Sequence, residues 1–287
     1  MPFSLTRRTP RIGVLTALAA SSVLAVLTAL AGSGSAQAAS LPTLNVSLTA
    51  STITVSGSPA TGAVNVITTA TGVKEASAIL VRLKPGVTPA EVFAFLSSNT
   101  AHDPNNASKF GAIVFDSEAT PGKAVEAQTT LAAGEYVALE AAGEGPPKAH
   151  AVFTVGSSST PVALPAAAAT ERTIEFTFKG PSTLHDGELV RFENEGFLVH
   201  MDLAFPVKSR AAAKQAVKLL LSGNEKQLEK LVAGPPVGFA GPLSSGGFQQ
   251  ETITAKPGWY VQVCFMDTQD GRSHTRLGME RIIKIAK

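Results

Sequence analysis

The chain has 287 residues, with 24 Lys or Arg against 22 Asp or Glu, five His, one Cys and 6% aromatic residues. Without the three arginines of its first 38 positions it is close to neutral, and it has no basic block and no aromatic–basic stripe, which argues against nucleic acid as a partner. A single cysteine cannot pair within the chain, so a disulfide-stapled fold is excluded and Cys264 must be buried, metal-bound or reactive.

Residues 1–38 have the three-part form of an export signal: Arg7, Arg8 and Arg11, an apolar run from Ile12 to Ala31, and Ala36-Gln37-Ala38 for cleavage. Thr16, Ser21, Ser22 and Thr28 dilute the run. Cleavage is therefore expected rather than retention as an anchor, with a secreted or cell-envelope location and no stable membrane insertion. In the first unit, residues 39–156, "TLNVSLTASTITVSG" and "GAVNVITTA" read as half-buried strands. "VTPAEVFAFLSSN" reads as a helix: Thr88 caps it, Pro89 takes the first helical position and Glu91 completes a capping box. Residues 157–170, "SSSTPVALPAAAAT", are uncharged and rich in Ser, Pro and Ala, as a linker is. The second unit, residues 171–287, opens with "RTIEFTFKGPSTL", where Ile174, Phe176 and Phe178 alternate with Thr173, Glu175 and Thr177 as in one strand. "ELVRFENEG", "QQETITA" and "WYVQVCF" continue the strand pattern, while "SRAAAKQAVKLLLSGNEKQLEKLVAGPP" is a longer helical insert with Gly223 and Gly234 as stops.

The two units match each other. "GEYVALE" lies over "GWYVQVC", and "TGVKEASAILVRL" over "EGFLVHMDLAFPV". Glu140 precedes Cys264, and Ala76 precedes His200, by the same 124 residues, as tandem duplication of a globular domain requires. Several short strands with Gly, Pro and Asn turns predict a β-sandwich for each copy.

Four side chains of the second unit form a chemical set: His200 after one strand turn, and Cys264, His274 and Met279 around the last loop. Two imidazoles, a thiolate and a thioether together select copper. Here "ENEGFLVH", "GWYVQVC" and "HTRLGM" resemble the three ligand segments of the cupredoxins, the plastocyanin-like family. The resemblance implies an all-β chain of two tandem Greek-key β-sandwiches, each with a helical insert, and one mononuclear type 1 copper in the second. His200, Cys264 and His274 would be its equatorial ligands and Met279 its weak axial one. It further implies outer-sphere one-electron transfer, with His274 near the surface as the port for a redox partner protein.

The chain departs from the family pattern in three places. Nine residues separate Cys264 from His274, a longer gap than in the small electron carriers; Met201 stands where an asparagine often braces the cysteine loop; and Ser273 stands where a proline is common. In the first unit Ala76 and Glu140 take the places of His200 and Cys264, so that copy is expected to bind no type 1 copper. Five histidines are too few for a multicopper oxidase. Val263 and Phe265 flank the cysteine where copper nitrite reductases carry a histidine, and no hydrolase, nucleotide or zinc-peptidase motif is present, so no enzyme is expected. Copper storage or delivery, and a metal-free structural or binding module, are the alternatives left open.

Overall fold

The computed structural model describes residues 40–98, 103–141, 147 and 149–287; the expected export signal lies outside them. The first unit contains β1 (Thr43–Leu48), β2 (Ile53–Ser56), β3 (Gly62–Ala70), β4 (Ala76–Leu83), α1 (Pro89–Leu96), a 3-10 turn (Pro104–Lys109), β5 (Gly111–Ala119), β6 (Val125–Leu131), β7 (Gly134–Glu140) and β8 (His150–Val155). The second contains β9 (Ala169–Ile174), β10 (Thr177–Lys179), β11 (Thr183–His185), β12 (Leu189–Asn194), β13 (His200–Val207), α2 (Arg210–Ser222), α3 (Glu225–Leu228), β14 (Val237–Leu243), β15 (Phe248–Thr252), β16 (Gly258–Val263), a 3-10 turn (His274–Leu277) and β17 (Glu280–Ala286). No helix among the described residues is long and apolar enough to cross a membrane.

The internal repeat is structural. One sheet of the first unit has the order β5-β4-β7-β8, and its counterpart in the second has β14-β13-β16-β17, extended by β11. Strands β4 and β13 begin 124 residues apart, as do β7 and β16. The tyrosine of each Gly-x-Tyr strand makes the same bond: Tyr136 donates its hydroxyl to Ala132 O at 2.8 Å, and Tyr260 to Lys256 O at 2.8 Å. The remaining strands join in one eight-stranded sheet, β10-β9-β12-β15-β6-β3-β1-β2, in which the two units meet where Gln250 pairs antiparallel with Gln128.

Apolar side chains on both faces of β4 and β13 explain how the units pack. Ala76, Ala78 and Leu80 face a core belonging to the first unit, and Ala204 faces one belonging to the second. From the opposite faces Ile79, Val81 and Leu83 meet Met201, Leu203, Phe205 and Val207 in a third core shared by both units. A strand buried on two sides has to be covered on two sides, and the other unit is the cover.

Helices α1 and α2 form as their caps dictate. Thr88 and Glu91 close the capping box at the start of α1; Ser209 caps α2, and Gly223, at φ 69°, ends it. Two expectations change. Rather than one strand, "RTIEFTFK" is a hairpin that turns at Glu175, whose φ is 43°, so that β10 pairs back on β9. The second insert stops at Leu228, well before Gly234, because Val232 bridges to Val207 and Ala233 N–H donates to Pro206 O at 2.8 Å.

Candidate metal centre

His200 opens β13, and the turn that leads to it is pinned by Asn194. The amide of Asn194 donates to Leu198 O at 2.7 Å and to Leu243 O at 2.8 Å, while its oxygen accepts from Gly196 N–H at 2.9 Å. Cys264 directly follows β16. The loop beyond it folds back on the cysteine through Thr275, whose hydroxyl accepts from Cys264 N–H at 3.1 Å and donates to Cys264 O at 2.8 Å. His274 N–H donates to Met266 O at 2.8 Å, which closes the loop so that "TQDGRS" remains an outer polar turn. Gly278, at φ 97°, then reverses the chain, and Met279 N–H donates to His274 O at 3.0 Å.

These bonds bring three donors together. Cys264 Sγ lies 3.5 Å from His274 Nδ1 and 3.9 Å from His200 Nδ1, and the two nitrogens are 3.2 Å apart. A triangle with these sides has a circumradius of about 2.1 Å, close to the bond length of imidazole or thiolate to a borderline metal ion, about 2.0–2.3 Å. One ion could therefore be held by all three. Two imidazole nitrogens and one sulfur are a donor set that suits a borderline ion such as copper or zinc. The three donors are those that the sequence resemblance to the cupredoxins implies as equatorial ligands.

The centre is dry: Cys264 and His274 are 0% exposed and His200 1%. Burial pushes the Cys264 thiol up to about 12, against hydrogen bonds from the Met201 and Met266 backbones that favour the thiolate. Burial lowers His200 to about 3, helped by nearby His274, and lowers His274 to about 4, against Asp103, which favours its charged form. Both imidazoles are thus neutral over the physiological range, as ligands must be. The Nε2 atoms of both histidines are buried without a hydrogen-bond partner. The residues present fit one metal ion.

No protein-family model and no curated protein matches the chain. Among solved structures, it is similar to reduced auracyanin from Roseiflexus castenholzii, with 17% identity over 42% of this chain and 100% of that one and a TM-score of 0.26. Auracyanin A of Chloroflexus aurantiacus, a "blue" copper protein, gives 18%, 41%, 96% and 0.26 for the same quantities. The copper-containing nitrite reductase of Thermus scotoductus gives 13%, 86%, 68% and 0.25. At TM-scores this low the likeness carries no weight beside the strand order and the donor triangle.

Of the four predicted ligands, the structure brings His200, Cys264 and His274 into one triangle and places Met279, 0% exposed, in the same apolar cluster as Cys264. The expectation of a histidine near the surface fails: His274 is wholly buried, with the edge of Phe176 at 5.2 Å between ring centroids. Met201 cannot brace with an amide side chain, but its backbone N–H donates to Cys264 Sγ at 3.4 Å, so the thiolate keeps a donor. Thr275 and Asn194 went unassigned although both lie inside the quoted motifs; a hydroxyl next to a ligand and an asparagine at a turn were the available signals. In the first unit Ala76 and Glu140 lie 124 residues before His200 and Cys264, and the His150 ring lies tilted against Phe93 at 3.9 Å between centroids.

Proposed function

We propose that the chain carries one copper ion on His200 Nδ1, His274 Nδ1 and Cys264 Sγ, with Met279 as a weak fourth donor, and serves as an exported one-electron carrier. The observation that supports it most is the buried triangle of two imidazole nitrogens and one sulfur, with sides of 3.2, 3.5 and 3.9 Å. Copper held by this donor set supplies one reversible electron at neutral pH.

The chain's own residues do the rest. Cys264 gives up its proton on loading, and the Met201 N–H stabilises the charge left on sulfur. Asn194 and Thr275 hold the backbones of the ligand segments, so the donors need move little when the charge at the centre changes. Burial excludes water and with it competing ligands. A redox partner would exchange its electron over the partly exposed Phe176 ring, which packs edgewise with the buried His274 imidazole. Export rests on residues 1–38, and a carrier rather than an enzyme is favoured by Val263 and Phe265, which leave Cys264 without a neighbouring histidine.

The test is metal stoichiometry on the full chain by native mass spectrometry with chelator competition. The expected result is one copper per chain and a loss of affinity of at least about 100-fold in Cys264→Ser. Equal affinity in that variant would overturn the assignment.

A further inference from the structure

The first unit lacks the donors of the second, yet it reaches the centre at two points. Asn105 Oδ1 accepts from Val199 N–H at 2.7 Å, the peptide group immediately before His200. Asn105 is itself fixed, because its backbone N–H and its side-chain amide donate to Asp103 Oδ1 at 2.9 and 2.8 Å. Asp103 is buried and caps the turn Pro104–Lys109, and its carboxylate lies near enough to His274 to favour the imidazolium. Behind that turn, Val92, Phe95 and Leu96 of α1 belong to the same apolar cluster as Val199, Cys264 and Met279, and the Phe110 ring lies tilted against Phe95 at 5.0 Å between centroids.

We propose that the first unit is the cover of the metal centre: Asn105 is a positioning residue that fixes the backbone entering His200, and the segment Asp103–Phe110 with α1 keeps water from the donors. The duplicated copy that lost the ligand pattern has a task in the copy that kept it. A backbone N–H next to a ligand has to be satisfied, and the second unit leaves that of Val199 to an acceptor on the first. A centre closed this way is sealed only while the two units remain docked, and it opens when they part. The inference rests on the copper reading for its purpose, but its geometry can be tested without metal.

The experiment measures labelling of Cys264 by a disulfide reagent in the metal-free full chain, with denaturant unfolding of each variant in parallel. Asn105→Ala removes the acceptor. The exchange Asp103→Asn with Asn105→Asp keeps an acceptor at both places. Labelling is expected to be about tenfold faster in Asn105→Ala than in the wild type, beyond what any change in global stability accounts for, and close to wild type in the exchange variant. Unchanged labelling in Asn105→Ala, or a rise that only follows global unfolding, would overturn the proposal. Copper spectra of the wild type are recorded alongside: failure of the wild type to take up copper would sink the functional reading, while the labelling result would still decide the role of the first unit.

Discussion

Thr275 grips Cys264 from both sides, taking its N–H and giving a hydrogen to its carbonyl. Thr275→Val keeps the shape but leaves a buried N–H without an acceptor, and is expected to cost about 1–3 kcal/mol. Chemical denaturation would measure that loss, and in the copper-loaded form the thiolate absorption should shift as the loop relaxes. Met279 is a different case, because its sulfur is the weakest donor of the set. Met279→Leu should leave the band in place and move the reduction potential, which direct electrochemistry would report. Loss of the copper in that variant would mean that Met279 is a principal ligand. At Gly196 an added Cβ would lie 2.8 Å from the Glu175 backbone nitrogen and 3.1 Å from His200 Nε2. Gly196→Ala is therefore expected to displace the His200 ring and weaken metal binding; equal affinity in a chelator competition would show that the turn gives way instead.

Among the elements, the β9–β10 hairpin shows what the sequence pattern does not contain. Alternation of Ile174, Phe176 and Phe178 fits one long strand as well as two short ones, and only the pairing of Thr177 with Ile174 reveals the turn at Glu175. The ligand strands were legible because their motifs combine residue type with spacing, and the 124-residue offset carried over into strand starts and tyrosine bonds alike. Burial of His274 was not legible, because the groups near it, Phe176 and Asp103, come from distant points of the chain.

Strand β9 also carries Glu171, 1% exposed, beside Arg281 and within 3.5 Å of Gln262 Nε2. Burial raises this carboxyl to about 7, and Arg281 opposes the shift without cancelling it. The folded chain thus holds a proton that the unfolded chain releases near pH 4.5. That contribution is present in full below the unfolded value and is lost as pH rises towards 7, by on the order of 2 kcal/mol. Glu171→Gln should accordingly flatten the pH dependence of stability between pH 5 and 8 and be the more stable chain at pH 8. A Gln variant less stable at pH 8 would mean that the ion pair with Arg281 outweighs burial.

In the molecule as a whole, three cores hold two sandwiches, and the shared one is expected to make them unfold as a single cooperative unit. Phe95 belongs to the first unit and Trp259, the only tryptophan, to the second, yet both border the shared core. Phe95→Ala should remove about 3–5 kcal/mol, and the loss should be reported by Trp259 fluorescence in the other half of the chain. A Trp259 transition that stays at its wild-type midpoint would show that the units unfold independently. The same docking buries the donor triangle, so the centre is tested in the full chain. The most direct measurement is optical and paramagnetic-resonance titration of that chain with Cu(II), beside Cys264→Ser. The account predicts an intense visible thiolate-to-copper band with a narrow copper hyperfine splitting at one equivalent, both absent in the variant. Copper bound without that band, or no copper bound at all, would contradict it.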